Sequence, residues 1–189
     1  MKTISNKVFY QKAIKEFGIS AQGVHWNSKY SQYKRFEVIT KLIKKSIKTS
    51  YIVDVGCGFG EYYNYLSNNK RVPENYLGID CENNMINICK KRFPNQQFKR
   101  IDILTDDLEI ADYYLASGTL NILTLEQCDT FIQKCYKHSK KGFIFNFLKK
   151  LTFTNIQQSD IENICKKYCN NLIIKDDYMD NDFTIFMIK

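Results

Sequence analysis

Hydrophobic positions recur along this chain with two different periods, and the changes of period mark its elements. From about Ser31 to Ile47, the residues Phe36, Ile39, Leu42, Ile43 and Ile47 keep helical spacing, which predicts a helix with one buried stripe. Tyr51-Ile52-Val53-Asp54-Val55 is a short apolar run that breaks at glycines, the pattern of a buried parallel strand. A helix carrying Tyr62, Tyr63 and Leu66 follows Gly60 and gives out at Asn68-Asn69. Tyr76 to Asp80 reads as a second strand, and Asn83 to Phe93 as a helix with Met85, Ile86, Cys89 and Phe93 inward.

The alternation continues to the end of the chain. Gln97 to Ile103 and Ala111 to Ser117 read as a third and a fourth strand, and Phe143 to Phe147 as a fifth. Thr124 with Gln127, and Ser159 with Glu162, have the spacing of capping boxes that open helices. Leu172 to Lys175 and Phe183 to Ile188 are joined by the acidic turn Asp176 to Asp182, with no helix between them. Strands alternating with helices predict an α/β fold, a doubly wound and mostly parallel sheet of seven strands with an antiparallel hairpin at its C-terminal edge.

Composition narrows the reading. A chain of 189 residues with 44% hydrophobic content suits one domain with a sizeable core. No apolar run approaches the ~20 residues that span a bilayer, and Met1 to Tyr10 lacks the apolar centre of a signal peptide. Seven cysteines without a Cys-x-x-Cys pair, and only two histidines, predict reduced thiols in a cytoplasmic protein and no metal site. The net charge of +8 admits an anionic partner or nucleic acid. Many of the lysines fall near helix ends, however, where they complement the helix dipole without any partner.

The chemistry concentrates behind the first strand. Gly56, Gly58 and Gly60 let the chain turn sharply into a helix and let a ligand lie against bare backbone. Glu61 breaks the dinucleotide Gly-x-Gly-x-x-Gly/Ala pattern, and the Gly-Lys-Ser/Thr of a P-loop is absent. Asp80 ends the second strand beside that loop, where a carboxylate can accept hydrogen bonds from two ribose hydroxyls. Asp102, expected at the end of the third strand, lies on the same sheet edge and can accept an adenine amino group.

Val53-Asp54-Val55-Gly56-Cys57-Gly58-Phe59-Gly60, then Leu77-Gly78-Ile79-Asp80, then Asp102, resemble in order the first three motifs of class I S-adenosylmethionine-dependent methyltransferases. The resemblance covers nearly the whole chain and implies a Rossmann-like methyltransferase fold that binds S-adenosylmethionine and releases S-adenosylhomocysteine. It implies cofactor contacts at Asp54, Gly56, Cys57, Gly58, Gly60, Asp80, Cys81, Asp102, Ile103 and Ser117. Gly18 to Phe36, Ala116 to Asn121, Phe145 to Phe147 and Tyr178 to Ile188 are further similar to a group of small bacterial methyltransferases, some acting on small metabolites or glycan precursors.

In such enzymes the segment ahead of the first strand folds over the cofactor, which makes residues 1–48 a helical lid on a cofactor domain of residues 49–189. Within it, Arg35 is the candidate for the methionine carboxylate, or else a surface arginine on an amphipathic helix. Trp26 is either a cofactor contact or packing, and His25 is the default general base. Asn121 and Asn146 either orient the acceptor or satisfy nearby backbone. Ser117-Gly118-Thr119 departs from the Asn/Asp-Pro-Pro-Tyr/Phe motif of DNA-base methylation. The expected substrate is therefore a small metabolite, anionic or hydroxyl-bearing, methylated on oxygen. An RNA-directed enzyme and a non-catalytic cofactor binder are the alternatives.

Overall fold

The computed structural model describes residues 29–150 and 155–189. Its elements in chain order are α1 (Lys29–Leu42), a 3-10 turn (Ile47–Thr49), β1 (Tyr51–Val55), α2 (Glu61–Asn68), β2 (Asn75–Asp80), α3 (Asn83–Arg92) and β3 (Gln97–Arg100). There follow β4 (Ala111–Ser117), a second 3-10 turn (Leu120–Ile122), α4 (Leu125–His138), β5 (Ser139–Leu148), α5 (Gln158–Tyr168), β6 (Leu172–Lys175) and β7 (Asp182–Ile188).

The strands form one seven-stranded sheet in the order β3-β2-β1-β4-β5-β7-β6. β1, β2, β3, β4 and β5 run parallel, and β7 lies antiparallel between β5 and β6. This is the doubly wound sheet with a C-terminal antiparallel hairpin that the hydrophobic pattern predicts. Because β7 runs backwards, the β6–β7 turn and the start of β7 lie at the edge where β1, β2, β4 and β5 end.

Both faces of the sheet are buried, which is why its central strands are apolar at successive positions. Val53, Val55, Tyr114, Phe143 and Phe145 pack on one face with Phe131 and Ile132 of α4 and Ile161 and Ile164 of α5. Ile52, Tyr113, Leu115, Ile144 and Phe186 pack on the other with Phe36 and Ile39 of α1, Tyr62 and Leu66 of α2, and Ile86 of α3. The aromatic residues of this second cluster interlock, with Phe36 and Tyr62 ring centres 5.2 Å apart.

Several boundaries differ from the sequence reading, each for a local reason. α1 stops at Leu42 rather than Ile47, where the chain tightens into turns, the Lys44 N–H on the Lys41 carbonyl at 3.4 Å and the Ser46 N–H on the Ile43 carbonyl at 3.0 Å. Ile43 and Ile47 stay buried on that turn. β3 ends at Arg100 and Asp102 lies in the following loop, where Asp106 Oδ2 accepts the Asp102 N–H at 2.9 Å. α5 is opened by Gln157 with Asp160, not by Ser159 with Glu162, whereas the Thr124–Gln127 capping box of α4 forms as expected. β5 extends beyond Phe143–Phe147 at both ends, since Ser139 pairs with Ala111 of β4 and β7 pairs with it from Gly142 to Leu148.

Candidate active site

The glycine loop sits at the C-terminal end of β1 with a backbone that L side chains rarely adopt. Gly56, Gly58 and Gly60 have φ of 67°, 53° and 78°. At Gly56 a Cβ would also stand 2.4 Å from Thr119 Oγ1, so the residue is fixed by both conformation and space. Thr119 in turn donates to the Val55 carbonyl at 3.0 Å, tying the loop after β4 to the end of β1. The loop therefore forms one floor with the β4 end, and both line a single cavity.

Asp80 is the hinge between that loop and β2. Its Oδ2 accepts the Gly58 N–H at 3.0 Å and its Oδ1 accepts the Glu82 N–H at 2.9 Å. Each oxygen keeps a lone pair, so the carboxylate can still accept two hydroxyl protons. Burial raises its pKa to about 6, against the lowering effect of those two N–H groups. Asp54 lies deeper, 4% exposed, with Oδ2 accepting from the Tyr76 hydroxyl at 2.6 Å. Burial lifts its pKa to about 7, the Tyr76 hydrogen bond opposing the shift.

The cavity brings together Asp54, Gly56, Cys57, Gly58, Asp80, Cys81, Asp102, Ile103 and Ser117 of the residues expected from sequence. Asp102 Oδ1 accepts the Leu104 N–H at 3.0 Å, and its second oxygen accepts no hydrogen bond among the described residues. Gly60 is not among the lining residues and acts in the loop's backbone, where a Cβ would meet Phe93 at 2.9 Å. Cys57 lies beneath the loop, its thiol pushed well up in pKa by burial, which makes it packing rather than a nucleophile.

Two candidates have other work. Arg35 does not line the cavity: its Nε and Nη2 hold the Asp182 carboxylate at 2.5 and 2.6 Å in a buried pair between α1 and β7. The guanidinium is thus neither surface-exposed nor directed to a cofactor carboxylate. Asn121 is likewise outside the lining, and its Oδ1 accepts the Leu148 N–H at 3.2 Å, which is the backbone-satisfying alternative. His25 and Trp26 lie outside the described residues.

Sequence reasoning passed over residues that the fold places in the cavity. Gln32 and Phe36 of α1 line it, as do Glu61, Tyr62 and Thr119. Glu61 is held by Arg92 at 2.5 Å. The signal for Gln32 was present: it stands four residues before Phe36, in phase with the apolar stripe, so it had to be buried. Among the described residues no group of acidic, cysteine and histidine side chains has the arrangement of a metal site.

The acids suit an adenosine. Asp80 offers two acceptors at the end of β2 and Asp102 one beyond β3, with bare glycine backbone at β1 to receive the remainder of such a ligand.

Residues 52–142 match a family described as a methyltransferase domain. The 235L protein of Invertebrate iridescent virus 6, which carries a methyltransferase name, is 32% identical over 91 residues, covering 44% of this chain and 33% of that one. The chain thus spans about a third of the length of that curated relative. Among solved structures, a TehB-like S-adenosylmethionine-dependent methyltransferase of Corynebacterium glutamicum superposes with a TM-score of 0.72 at 15% identity, over 97% of this chain and 100% of that one. Magnesium protoporphyrin IX methyltransferase of Synechocystis with bound S-adenosylmethionine gives 0.68 at 14% identity, over 100% and 86%. The match over residues 52–142, the strand order and the glycine loop with its two carboxylates make this chain similar to the class I S-adenosylmethionine-dependent methyltransferases.

Proposed function

We propose that the protein transfers the methyl group of S-adenosylmethionine to oxygen on a small, hydroxyl-bearing acceptor. The observation that carries this is Asp80, held between the Gly58 and Glu82 N–H groups with two lone pairs left, in a cavity that continues to Ser117 at the end of β4. When bound, the cofactor supplies a methyl group on a positive sulfur; a new C–O bond forms as the S–C bond breaks, its electron pair returns to sulfur, and the hydroxyl proton passes to water.

The chain's own residues bind and orient. Asp80 takes the ribose, Asp102 the adenine amino group, and the glycine loop lets the methionine part approach the backbone. Holding acceptor and methyl in line can account for roughly 7–11 kcal/mol of barrier lowering. Between the anionic and the hydroxyl-bearing acceptors expected from sequence, the described lining favours a neutral hydroxyl, since it contains Asp54, Glu61, Asp80 and Asp102 but no Lys, Arg or His. An anion would enter against that field.

Residues 1–48 act as the lid in this reading, with α1 as its base, anchored on the sheet through Phe36, Ile39 and the Arg35–Asp182 pair. Trp26 is the only tryptophan, so cofactor saturation should shift or quench tryptophan emission; flat emission at saturation would remove the lid. The function itself is tested by a transfer screen with methyl-labelled cofactor over small alcohols, phenols, carboxylates and phosphate esters, with RNA as control. Label on RNA alone, abolished by salt, would favour the nucleic-acid alternative instead.

A further inference from the structure

Three neighbouring strands carry a polar row on the sheet face that α1 covers. Ser117 lies opposite Asn146 in the β4–β5 register, and Asn146 lies opposite Thr184 in the β5–β7 register. Ser117 Oγ donates to Asn146 Oδ1 at 2.7 Å, and Asn146 Nδ2 donates to Thr184 Oγ1 at 2.9 Å. The Tyr178 hydroxyl closes the row, 2.9 Å from Thr184 Oγ1. A serine hydroxyl has one proton. With that proton committed to Asn146, Ser117 turns only lone pairs toward the cavity it lines.

Gln32 lines the same cavity from α1. It is 5% exposed, yet its amide makes no hydrogen bond with any described residue. Its amide, turned to the cavity, carries two donors and an acceptor that a ligand entering there can take up. Its helix is pinned in place one turn later, where the buried Arg35–Asp182 pair ties α1 to the start of β7. The carboxylates suited to ribose and adenine follow β2 and β3, while Ser117 ends β4, on the other side of β1. Ser117 thus stands across β1 from the carboxylates suited to adenosine, and Gln32 lines the same cavity from α1.

We infer that Gln32 and Ser117 are the recognition pair for the methyl acceptor, the Gln32 amide donating a hydrogen bond to the acceptor oxygen while Ser117 Oγ accepts a hydrogen bond from its hydroxyl, whose proton is lost to water on transfer. The pair selects a neutral alcohol or phenol. A carboxylate or phosphate dianion brings no proton for Ser117, and an ether brings none either. Asn146 is a positioning residue, since it sets which way the Ser117 hydroxyl faces. The inference rests on the oxygen-methylating reading above and gives it a residue-level acceptor site.

The test uses the full chain with Gln32→Leu and Ser117→Ala. Calorimetry gives the affinity for S-adenosylhomocysteine, thermal melting the fold, and labelled-methyl transfer the turnover on neutral alcohols and phenols beside matched carboxylates and phosphate esters. The wild type should methylate neutral members. Each variant should raise the KM for the acceptor about tenfold, the effect of one lost hydrogen bond, by a larger factor than it weakens S-adenosylhomocysteine, with melting nearly unchanged. The assignment is overturned by a wild type that binds S-adenosylhomocysteine but methylates no neutral hydroxyl. Unchanged KM in both variants overturns it too, as does affinity for S-adenosylhomocysteine falling as far as turnover does. A wild type that binds no S-adenosylhomocysteine defeats the methyltransferase reading itself, and this pair with it.

Discussion

Replacing Asp80 with asparagine keeps the side chain's shape and removes its charge and one of its accepting oxygens. In the native protein Oδ1 is taken once by the Glu82 N–H and Oδ2 once by the Gly58 N–H, at 2.9 and 3.0 Å. The two remaining lone pairs are those offered to the ribose hydroxyls. A hydrogen bond to a charged acceptor contributes about 1.5–3 kcal/mol, so two contribute about 3–6 kcal/mol, and about 1.4 kcal/mol is tenfold in affinity. The asparagine oxygen keeps one neutral hydrogen bond, while its NH2 opposes a backbone N–H. Calorimetry should therefore show S-adenosylmethionine and S-adenosylhomocysteine both weakened by about 30- to 1,000-fold. Asp80→Ala, which also frees the Gly58 N–H, should fall at the upper end. A dissociation constant within threefold of wild type would refute the assignment of Asp80 to the ribose. The pH dependence provides a second check with a definite sign. Burial raises the Asp80 pKa to about 6, and hydroxyl donors favour the ionised form. Binding near that pH should then release a proton, and affinity should rise from about pH 5 to about pH 7. Asp80→Asn should lose this slope.

Other outcomes follow from the same geometry. Arg35→Met leaves the Asp182 carboxylate buried without its partner and should cost about 3–5 kcal/mol in urea unfolding, with part recovered in Arg35→Met/Asp182→Leu. Full stability in the single variant would show that the pair does not hold α1. Gly56→Ala combines φ of 67° with a Cβ 2.4 Å from Thr119 Oγ1, so cofactor binding should be lost even where circular dichroism shows a folded chain. Unaltered binding would mean that the loop does not have to keep this form. Asp54 has a folded pKa of about 7, raised from the ordinary carboxylate range. Its contribution to stability is present at acid pH and lost as pH rises through about 7, so Asp54→Asn should gain on the wild type over that interval. Parallel stability curves for the two would contradict this.

What the sequence made legible was local. β1 and β4 were marked by continuous apolar runs, α4 by a capping box within four residues, and the cavity carboxylate Asp80 by its place at the end of β2. The third strand was read too long because Ile101 and Ile103 extend its apolar alternation, whereas the Asp102 and Asp106 carboxylates accept backbone N–H groups there and make that stretch a turn. Arg35 was misread for a different reason. Its partner stands 147 residues away, and no local pattern reports a contact of that range. The same holds for the Ser117–Asn146–Thr184 row, which depends on the register of three strands. Gln32 had a local signal in its phase with Phe36, but phase tells that a residue is buried and not what it faces.

The backward run of β7 separates two kinds of evolutionary freedom. The groups proposed to hold the methyl donor lie between Tyr51 and Asp102, at the ends of β1 and β2 and in the loop after β3. The β6–β7 turn reaches the same rim from the opposite end of the chain, belonging to a hairpin that contributes no residue to the cavity lining. Lengthening or exchanging that turn would alter what overhangs the β4–β5 side while leaving the adenosine end untouched. A lineage could thus try out new acceptors at the rim without relearning how to hold its methyl donor.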